Sequence, residues 1–437
     1  MGVNSLVGSS KTLRFFLVFL FIFSLNFYLF PINSSRLVII FILFFSVLWK
    51  SDPLRLTIDK QFLMIFIPLL ISFLYNVLIG LIDGIIDISN FANLVIIVFQ
   101  IAFGAYLINF IFFEEKLDIN NLLYVIFLII SLQSLFIVLS FILPVFRSFV
   151  DAIIPTSGNL SVEAGGQGLF RVRGIANSTG ASLSSFLSIG LLIGTYFLTF
   201  LNRKKTPIYL GLILIPAGIA FTGRTGLFMI PIAVLFYYLI LALEKRLSIK
   251  SFLPILITPI LLILFYIFFK QIYYLITGGG IPLPTGEDLL SRWERWAFGD
   301  FINLFSNNEK KLHTLKVLDA HLFFPEDNKT WLLGNPRTWT VDRISSDIGY
   351  VRVLFSQGLI GGLLFYFGFA LIYGYCVLKS NKLSLKLFFL FFAVWMFIIE
   401  YKEPFINHYY FTSFTFLCAF AVMKDALRAK NENITGY

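Results

Sequence analysis

The sequence predicts an all-α polytopic membrane protein with one large helical loop outside the bilayer. Three observations carry that prediction. Of the 437 residues, 58% are hydrophobic and 13% charged, and the mean hydropathy is +0.87, far above the balance of a soluble globular chain. Long apolar runs follow one another from Leu13 to Phe269. They stop between Lys270 and Asp347 and then resume, which leaves one stretch long enough to fold outside the lipid.

A helix needs about 20 apolar residues to cross the roughly 30 Å hydrocarbon layer. Twelve stretches qualify as candidates: 13–31, 35–49, 62–82, 91–113, 121–143, 181–201, 207–221, 226–243, 252–269, 353–378, 385–400 and 405–423. The second and seventh are short, hence tilted or partly re-entrant. The first lacks a small-residue cleavage site and is expected to stay as a helix. Cys376 and Cys418 both fall inside spans, so no disulfide framework is expected. The chain divides accordingly into 1–269 with nine spans, the loop 270–347, and 348–437 with three spans and a tail.

Orientation follows from the basic residues. With both termini inside, the short inward stretches hold 18 of the 34 lysines and arginines, and the outward loop 83–90 holds none. The inside then carries 18 basic and 8 acidic residues, and the outside 16 of each. The isoelectric point of about 9.4 therefore reflects topology, and no nucleic-acid partner is expected. Arginine makes up 5 of the 18 inward basic residues but 10 of the 16 outward ones: Arg36, Arg147, Arg171, Arg173, Arg224, Arg292, Arg295, Arg337, Arg343 and Arg352. Lysine is adequate for topology, whereas the guanidinium fork grips phosphate with two parallel hydrogen bonds. The asymmetry points to an outward site for a phosphate-bearing ligand. The alternative for each arginine is a helix-end cap paired with an outward acid.

Four outward segments carry the candidates. The loop 144–180 is rich in Gly, Ser and Asn and reads as irregular backbone. In the turn 222–226, TGRTG, glycines flank Arg224 so that the backbone can approach a ligand closely; a plain hairpin turn with a snorkelling arginine is the alternative. In the large loop, EDLLSRWERWAFGDFINLF spaces Leu289, Trp293, Trp296 and Leu304 as an amphipathic helix lying on the membrane, with Arg292 and Arg295 on one face. In the turn EYKEP, 400–404, Lys402 stands between Glu400 and Glu403, as a neutralised cluster or a phosphate contact.

The apolar centres hold no Asp, Glu, Lys or Arg, which argues against an ion-coupled transporter. No GxSxG, HExxH, CxxC or P-loop occurs. The histidines are His313, His321 and His408, too scattered for a metal site. No metal and no cofactor is expected, so a bound diphosphate would have to be neutralised by arginine.

Three local patterns resemble the bacterial O-antigen polymerase and ligase superfamily, in order and on one side. FRVRGIANSTGASLSSFL is similar to the family's Arg-x-x-Gly followed by Asn, here Arg171, Gly174 and Asn177 with Arg173 alongside. AFTGRTGLFMIPIA is similar to its Ser/Thr-Gly-Arg turn, carried by Arg224. SDIGYVRVLFSQGLIGGLLFY is similar to its loop exit, with Asp347, Gly349, Tyr350, Arg352, Gly358 and Gly361. The resemblance implies a GT-C-like fold in the bacterial inner membrane, with both termini cytoplasmic and the active face periplasmic. It implies glycosyl transfer between undecaprenyl-diphosphate-linked repeat units, donor and acceptor. The pathway's chain-length regulator and flippase, and membrane lipids, are the implied partners. The functional His of ligases is replaced here by Ser345-Ser346-Asp347, and the turn with Lys402 and Pro404 looks more like polymerases, so a polymerase is preferred; a ligase and a flippase are the alternatives. On this reading Arg171, Arg173, Arg224 and Arg352 stabilise the departing diphosphate, and Arg292, Arg295, Arg337 and Arg343 assist. Asp347 is the leading general base, followed by Glu163 and His321. Asn177, Tyr350 and Lys402 would contact substrate. Trp331, Trp339 and Tyr350 would stack on sugars or anchor at the interface.

Overall fold

The computed structural model describes residues 11–29, 32–49, 59–84, 96–112, 118–155, 171–178, 180–200, 205–248, 253–281, 286–306, 313–340 and 344–435. Glu163, Arg343 and the side chains of His313 and Trp339 lie outside the described part. About 80% of the described residues are helical, and no strand occurs among them. That is the outcome lipid enforces, because a helix satisfies its backbone polar groups within itself.

In chain order the helices are α1 Lys11–Phe23, α2 Ser34–Trp49, α3 Lys60–Ile82, a composite α4, α5 Ile119–Ile142, α6 Pro144–Ile153, α7 Gly180–Leu198, α8 Thr206–Thr222, α9 Met229–Leu243 and α10 Leu253–Thr277. Then come α11 Leu289–Ser306, α12 His313–Ala320, α13 Asn328–Leu333, α14 Arg337–Thr340, α15 Gly349–Lys379, α16 Leu383–Glu400 and α17 Tyr409–Thr435. Among the described residues, seven helices are long and apolar enough to cross a membrane: α3, α5, α7, α9 with its preceding 3-10 turn, α15, α16 and α17. The other predicted runs are shorter apolar helices among the described residues.

Several runs depart from expectation for local reasons. The first ends at Phe23, not residue 31: Ser24 takes a positive φ of 45°, and its hydroxyl meets that of Ser35 at 3.0 Å. The fourth, α4, is Ile96–Ala102 and Leu107–Phe112 in π turns around an α segment, Phe103–Tyr106. Within it Asn109 Nδ2 donates to Ala105 O and to Leu417 O. Lys424, just past the twelfth predicted run, is buried and donates to Asn109 O at 2.8 Å. Residues 144–153, expected as irregular backbone, form α6, started by Pro144 at its first turn.

The chain forms two compact units. One comprises Met1–Ser24, Ser34–Leu123 and Val317–Tyr437; the other comprises Leu25–Asn33 and Tyr124–Lys316. The large loop thus divides between them. In lipid, helices gain little from burying apolar surface against each other, so close packing of small residues does most of the work. In the first unit, Gly368 of α15 lies against the Leu69 backbone of α3, where an added Cβ would sit 2.9 Å from Leu69 N. In the second, Gly190 and Gly194 of α7 face Ile130, Ile215, Phe127 and Leu212, while Gly211 and Gly218 of α8 face Phe127 and Ser134.

Candidate functional site

In the second unit, two of the arginines singled out by sequence pattern, Arg171 and Arg224, come together. Val172 N donates to Phe221 O at 2.9 Å, and Thr222 Oγ1 donates to Val172 O. Residues 171–173 are thereby tied to the last turn of α8. Gly223 then packs on Gly180, the first residue of α7; an added Cβ at Gly223 would lie 2.7 Å from Gly180 O. Gly180 also lies beside Arg171, whose Nη1 would be 3.7 Å from a Cβ there. The guanidinium carbons of Arg171 and Arg224 stand 5.4 and 5.2 Å from the Trp296 ring centroid, within cation–π range. Two cations are thus gathered on one indole, next to the start of a 19-residue helix, where the backbone dipole also favours an anion.

Arg173 has a different job. It is only 5% exposed. Its Nε and Nη2 both donate to Asp151 Oδ1, at 3.2 and 2.6 Å, and its remaining donors go to the carbonyls of Ile154, Pro155 and Ala176. This arginine knits the loop to α6, and Asp151, which sequence reasoning passed over, is its counter-ion. Arg147 lies 4.0 Å from the same carboxylate, and burial pushes its guanidinium below the usual range. Asn177 Oδ1 accepts the backbone N–H of Asn26 at 3.1 Å.

Of the two tryptophans expected to anchor the amphipathic helix α11 on the membrane, Trp293 packs into protein instead. Trp293 is buried, donates its Nε1–H to Ala220 O at 3.0 Å, and packs its ring 4.6 Å from that of Phe221. Two acids clamp α11 to the end of α10. Asp288 caps its N-terminus at Leu290 N and Ser291 N and accepts from the Tyr273 and Tyr274 hydroxyls; Glu294 accepts from Tyr266 and Lys270. The described part of the apolar face, Leu289, Leu290, Trp293 and Ala297, covers protein. Arg295 pairs with Glu287. Arg292 is partly exposed, and its side chain makes no hydrogen bond or ion pair among the described residues.

In the first unit, residues distant in sequence gather at the start of α15. Asp347 N donates to His321 Nδ1 at 3.0 Å. A backbone N–H only donates, so Nδ1 is an acceptor and the neutral ring carries its proton on Nε2. The Asp347 carboxylate lies 3.6 Å from His321 Nδ1 and 4.0 Å from Lys402 Nζ. Ser346 Oγ donates to His321 O, and Arg352 Nε donates back to Ser346 O at 2.7 Å. Tyr350 Oη donates to Phe397 O, so its hydroxyl is held by α16. Arg337 is exposed at the start of α14.

Glu400 departs most from expectation. Instead of an exposed turn residue beside Lys402, it is the last residue of α16 and 0% exposed. Tyr366 Oη donates to its Oε1 at 3.0 Å and Ile406 N to its Oε2 at 2.9 Å. It makes no ion pair among the described residues. Its carboxylate rests against Gly349 in the first turn of α15, where a Cβ would lie 2.6 Å from Oε1. Periodicity held the signal: Glu400 falls on the same helix face as buried Phe389, Phe392 and Met396.

Taken together, these features define an all-helical polytopic membrane protein with an arginine–indole cluster in one unit and an Asp–His–Lys cluster in the other. No family model, curated protein or solved structure matches the chain.

Proposed function

We propose that this protein is a polysaccharide polymerase of the O-antigen polymerase and ligase superfamily, a GT-C-like glycosyltransferase of about twelve spans in the bacterial inner membrane. Both termini are cytoplasmic and the active face is periplasmic. Its substrates are undecaprenyl-diphosphate-linked repeat units, donor and acceptor, and the pathway's flippase and chain-length regulator are its working partners. The observation that carries the reading is the convergence of Arg171 and Arg224 on Trp296 beside the start of α7.

The reaction asks chiefly for charge stabilisation. A hydroxyl of the incoming unit attacks the anomeric carbon of the growing glycan. The new C–O bond forms as the bond to the diphosphate breaks, and undecaprenyl diphosphate departs with the electron pair. Arg171 and Arg224 hold the departing charge; a preorganised donor of this kind contributes about 3–4 kcal/mol to the transition state. The hydroxyl proton leaves to water, because a diphosphate leaving group held by two guanidinium groups does not require a strong base. Arg173 supports the loop and is not assigned a substrate contact.

The test is turnover of a synthetic diphospholipid-linked repeat unit by the purified protein in nanodiscs, with and without chelator. Wild type forms long chains, and Arg224→Ala does not. Unchanged chains from Arg224→Ala at equal protein level, or no transfer by wild type, would overturn the reading. One observation favours the second reading, a ligase: His321 occupies the loop exit in space although the sequence there reads Ser345-Ser346-Asp347. The cell phenotype separates them. Loss of a polymerase leaves single repeat units on lipid A core; loss of a ligase leaves the core bare and the polymer on its carrier.

A further inference from the structure

α15 is two helical segments, broken at Gly358, whose φ of 64° and ψ of −172° are not helical. Beyond the break, Leu359–Lys379 alone rises about 31 Å at about 1.5 Å per residue, which matches a hydrocarbon layer of roughly 30 Å. The break thus falls at one end of a bilayer-length segment, and Gly349–Gln357 is not needed to cross the lipid.

α3 passes the break at Ser72 and Tyr75, whose hydroxyls donate to Gly361 O and Leu333 O. Its exposed residues Ile71, Leu74, Leu78 and Ile82 form a stripe at helical spacing that continues past the break to the charged Asp83, which ends the helix.

The short helix α13 is fastened to both helices. Gly334 meets Gly358 backbone to backbone; a Cβ on Gly334 would lie 2.4 Å from Gly358 N. Asn335 N donates to Phe355 O at 2.7 Å, which serves a carbonyl just before the break. Tyr75 Oη of α3 donates to Leu333 O at 3.1 Å, and Lys329 Nζ pairs with Asp83 at 2.6 Å. Held at this level, the segment exposes Phe324, Trp331 and Leu332, with the rings of Phe324 and Trp331 edge to face at 5.9 Å. Leu359 and Ile360, immediately on the membrane side of the break, are exposed as well.

We propose that residues 322–335 are a membrane-seated segment, with Phe324, Trp331 and Leu332 immersed at the boundary between lipid headgroups and acyl chains. The occupant of this apolar face is the bilayer itself. The face continues the exposed stripe of α3, and an indole with a neighbouring lysine is the pairing that suits the interface. In the first half of the large loop Trp293 is buried in protein. In the second half Trp331 turns towards lipid, which sets the height of α13 and of the α15 segment fastened to it. The proposal rests only on the membrane-spanning helices and not on any reaction.

The experiment uses the full chain in phosphatidylcholine–phosphatidylglycerol nanodiscs. Cys376 and Cys418 are buried, so a nitroxide can be placed on Trp331→Cys or Leu332→Cys, with Leu78→Cys as the lipid-facing reference and Glu326→Cys as the aqueous one. The expected result is that labels at 331 and 332 collide more with oxygen than with a water-soluble nickel complex, as at 78, and the reverse at 326. Labels at 331 and 332 that follow 326 would overturn the proposal and leave Trp331 as an aqueous platform for sugar. A second measurement needs no label. Brominated phosphatidylcholine should quench the emission that Trp331→Phe removes; if that emission survives, the segment is not in lipid.

Discussion

His321 accepts the backbone N–H of Asp347 on Nδ1 at 3.0 Å, across 26 residues of sequence. The bond does two things at once. It fixes the direction of the residue before α15, and it leaves the imidazole presenting an N–H, not a lone pair, on its other nitrogen. His321→Ala removes both features; His321→Asn restores an acceptor near the position of Nδ1 but no Nε2–H. The alanine variant should lose about 1 kcal/mol of stability, and the asparagine variant distinctly less. Unfolding midpoints in detergent check this. Equal losses would mean that the Nδ1 bond contributes nothing.

Arg224 and Arg171 share the Trp296 indole, so anion affinity should depend on all three. Charge-assisted hydrogen bonds contribute about 1.5–3 kcal/mol, and about 1.4 kcal/mol is tenfold in binding. Arg224→Ala should therefore weaken binding of a short-chain prenyl diphosphate by about tenfold or more. Arg224→Lys should do nearly as badly, because an ammonium cannot form the two-pronged contact. Trp296→Phe should retain more affinity than Trp296→Ala, since a benzene ring is a weaker cation–π partner than indole but still one. Titration calorimetry reads all four; full affinity in Arg224→Lys would show that only charge matters there.

Arg171 and Arg224 were legible in the sequence because each lies in a glycine-marked turn between apolar runs, where local pattern and local structure coincide. Their meeting on Trp296 was not legible, because helical spacing yields an amphipathic face without saying what covers it. α11 turned that face to Phe221 and Ala220. Likewise, no periodicity links His321 to Asp347. Glu400 was readable in principle from the face it shares with Phe392 and Met396, but EYKEP looked like a turn and hid it. The π turns of α4 and the break at Gly358 have no signal in apolar spacing.

Glu400 and Gly349 are mutually adjusted: there is no room for a side chain where the carboxylate meets the first turn of α15. Gly349→Ala should cost about 1–3 kcal/mol through overpacking. Adding Glu400→Ala should relieve only part of that, because the Glu400 backbone oxygen would also lie 2.8 Å from the new Cβ. Alone, Glu400→Ala leaves the Ile406 N–H and the Tyr366 hydroxyl without their acceptor, each at about 1–3 kcal/mol. Glu400→Gln can serve Ile406 with its oxygen and turn its NH2 to a Tyr366 hydroxyl that now accepts, so it should be the milder change. Chemical denaturation in mixed micelles ranks the variants; a glutamine variant as unstable as the alanine one would shift the explanation from hydrogen bonding to charge.

His408 sits in the turn between α16 and α17, its ring against Tyr410 and Phe411 and its Nδ1 without a hydrogen-bond partner. Burial pushes its pKa down to about 4 from an ordinary 6.5. The folded state therefore holds the neutral ring where the unfolded chain binds a proton. The stability this confers is complete above about pH 6.5 and is lost as the pH falls through about 4, on the order of 3 kcal/mol across the window at about 1.4 kcal/mol per pH unit. His408→Phe keeps an aromatic ring in the turn and cannot take up the proton. Its unfolding midpoint should fall less steeply than that of wild type between these two pH values, with the curves parallel above them. Parallel curves throughout the window would mean that His408 is protonated as readily in the folded protein as in the unfolded chain.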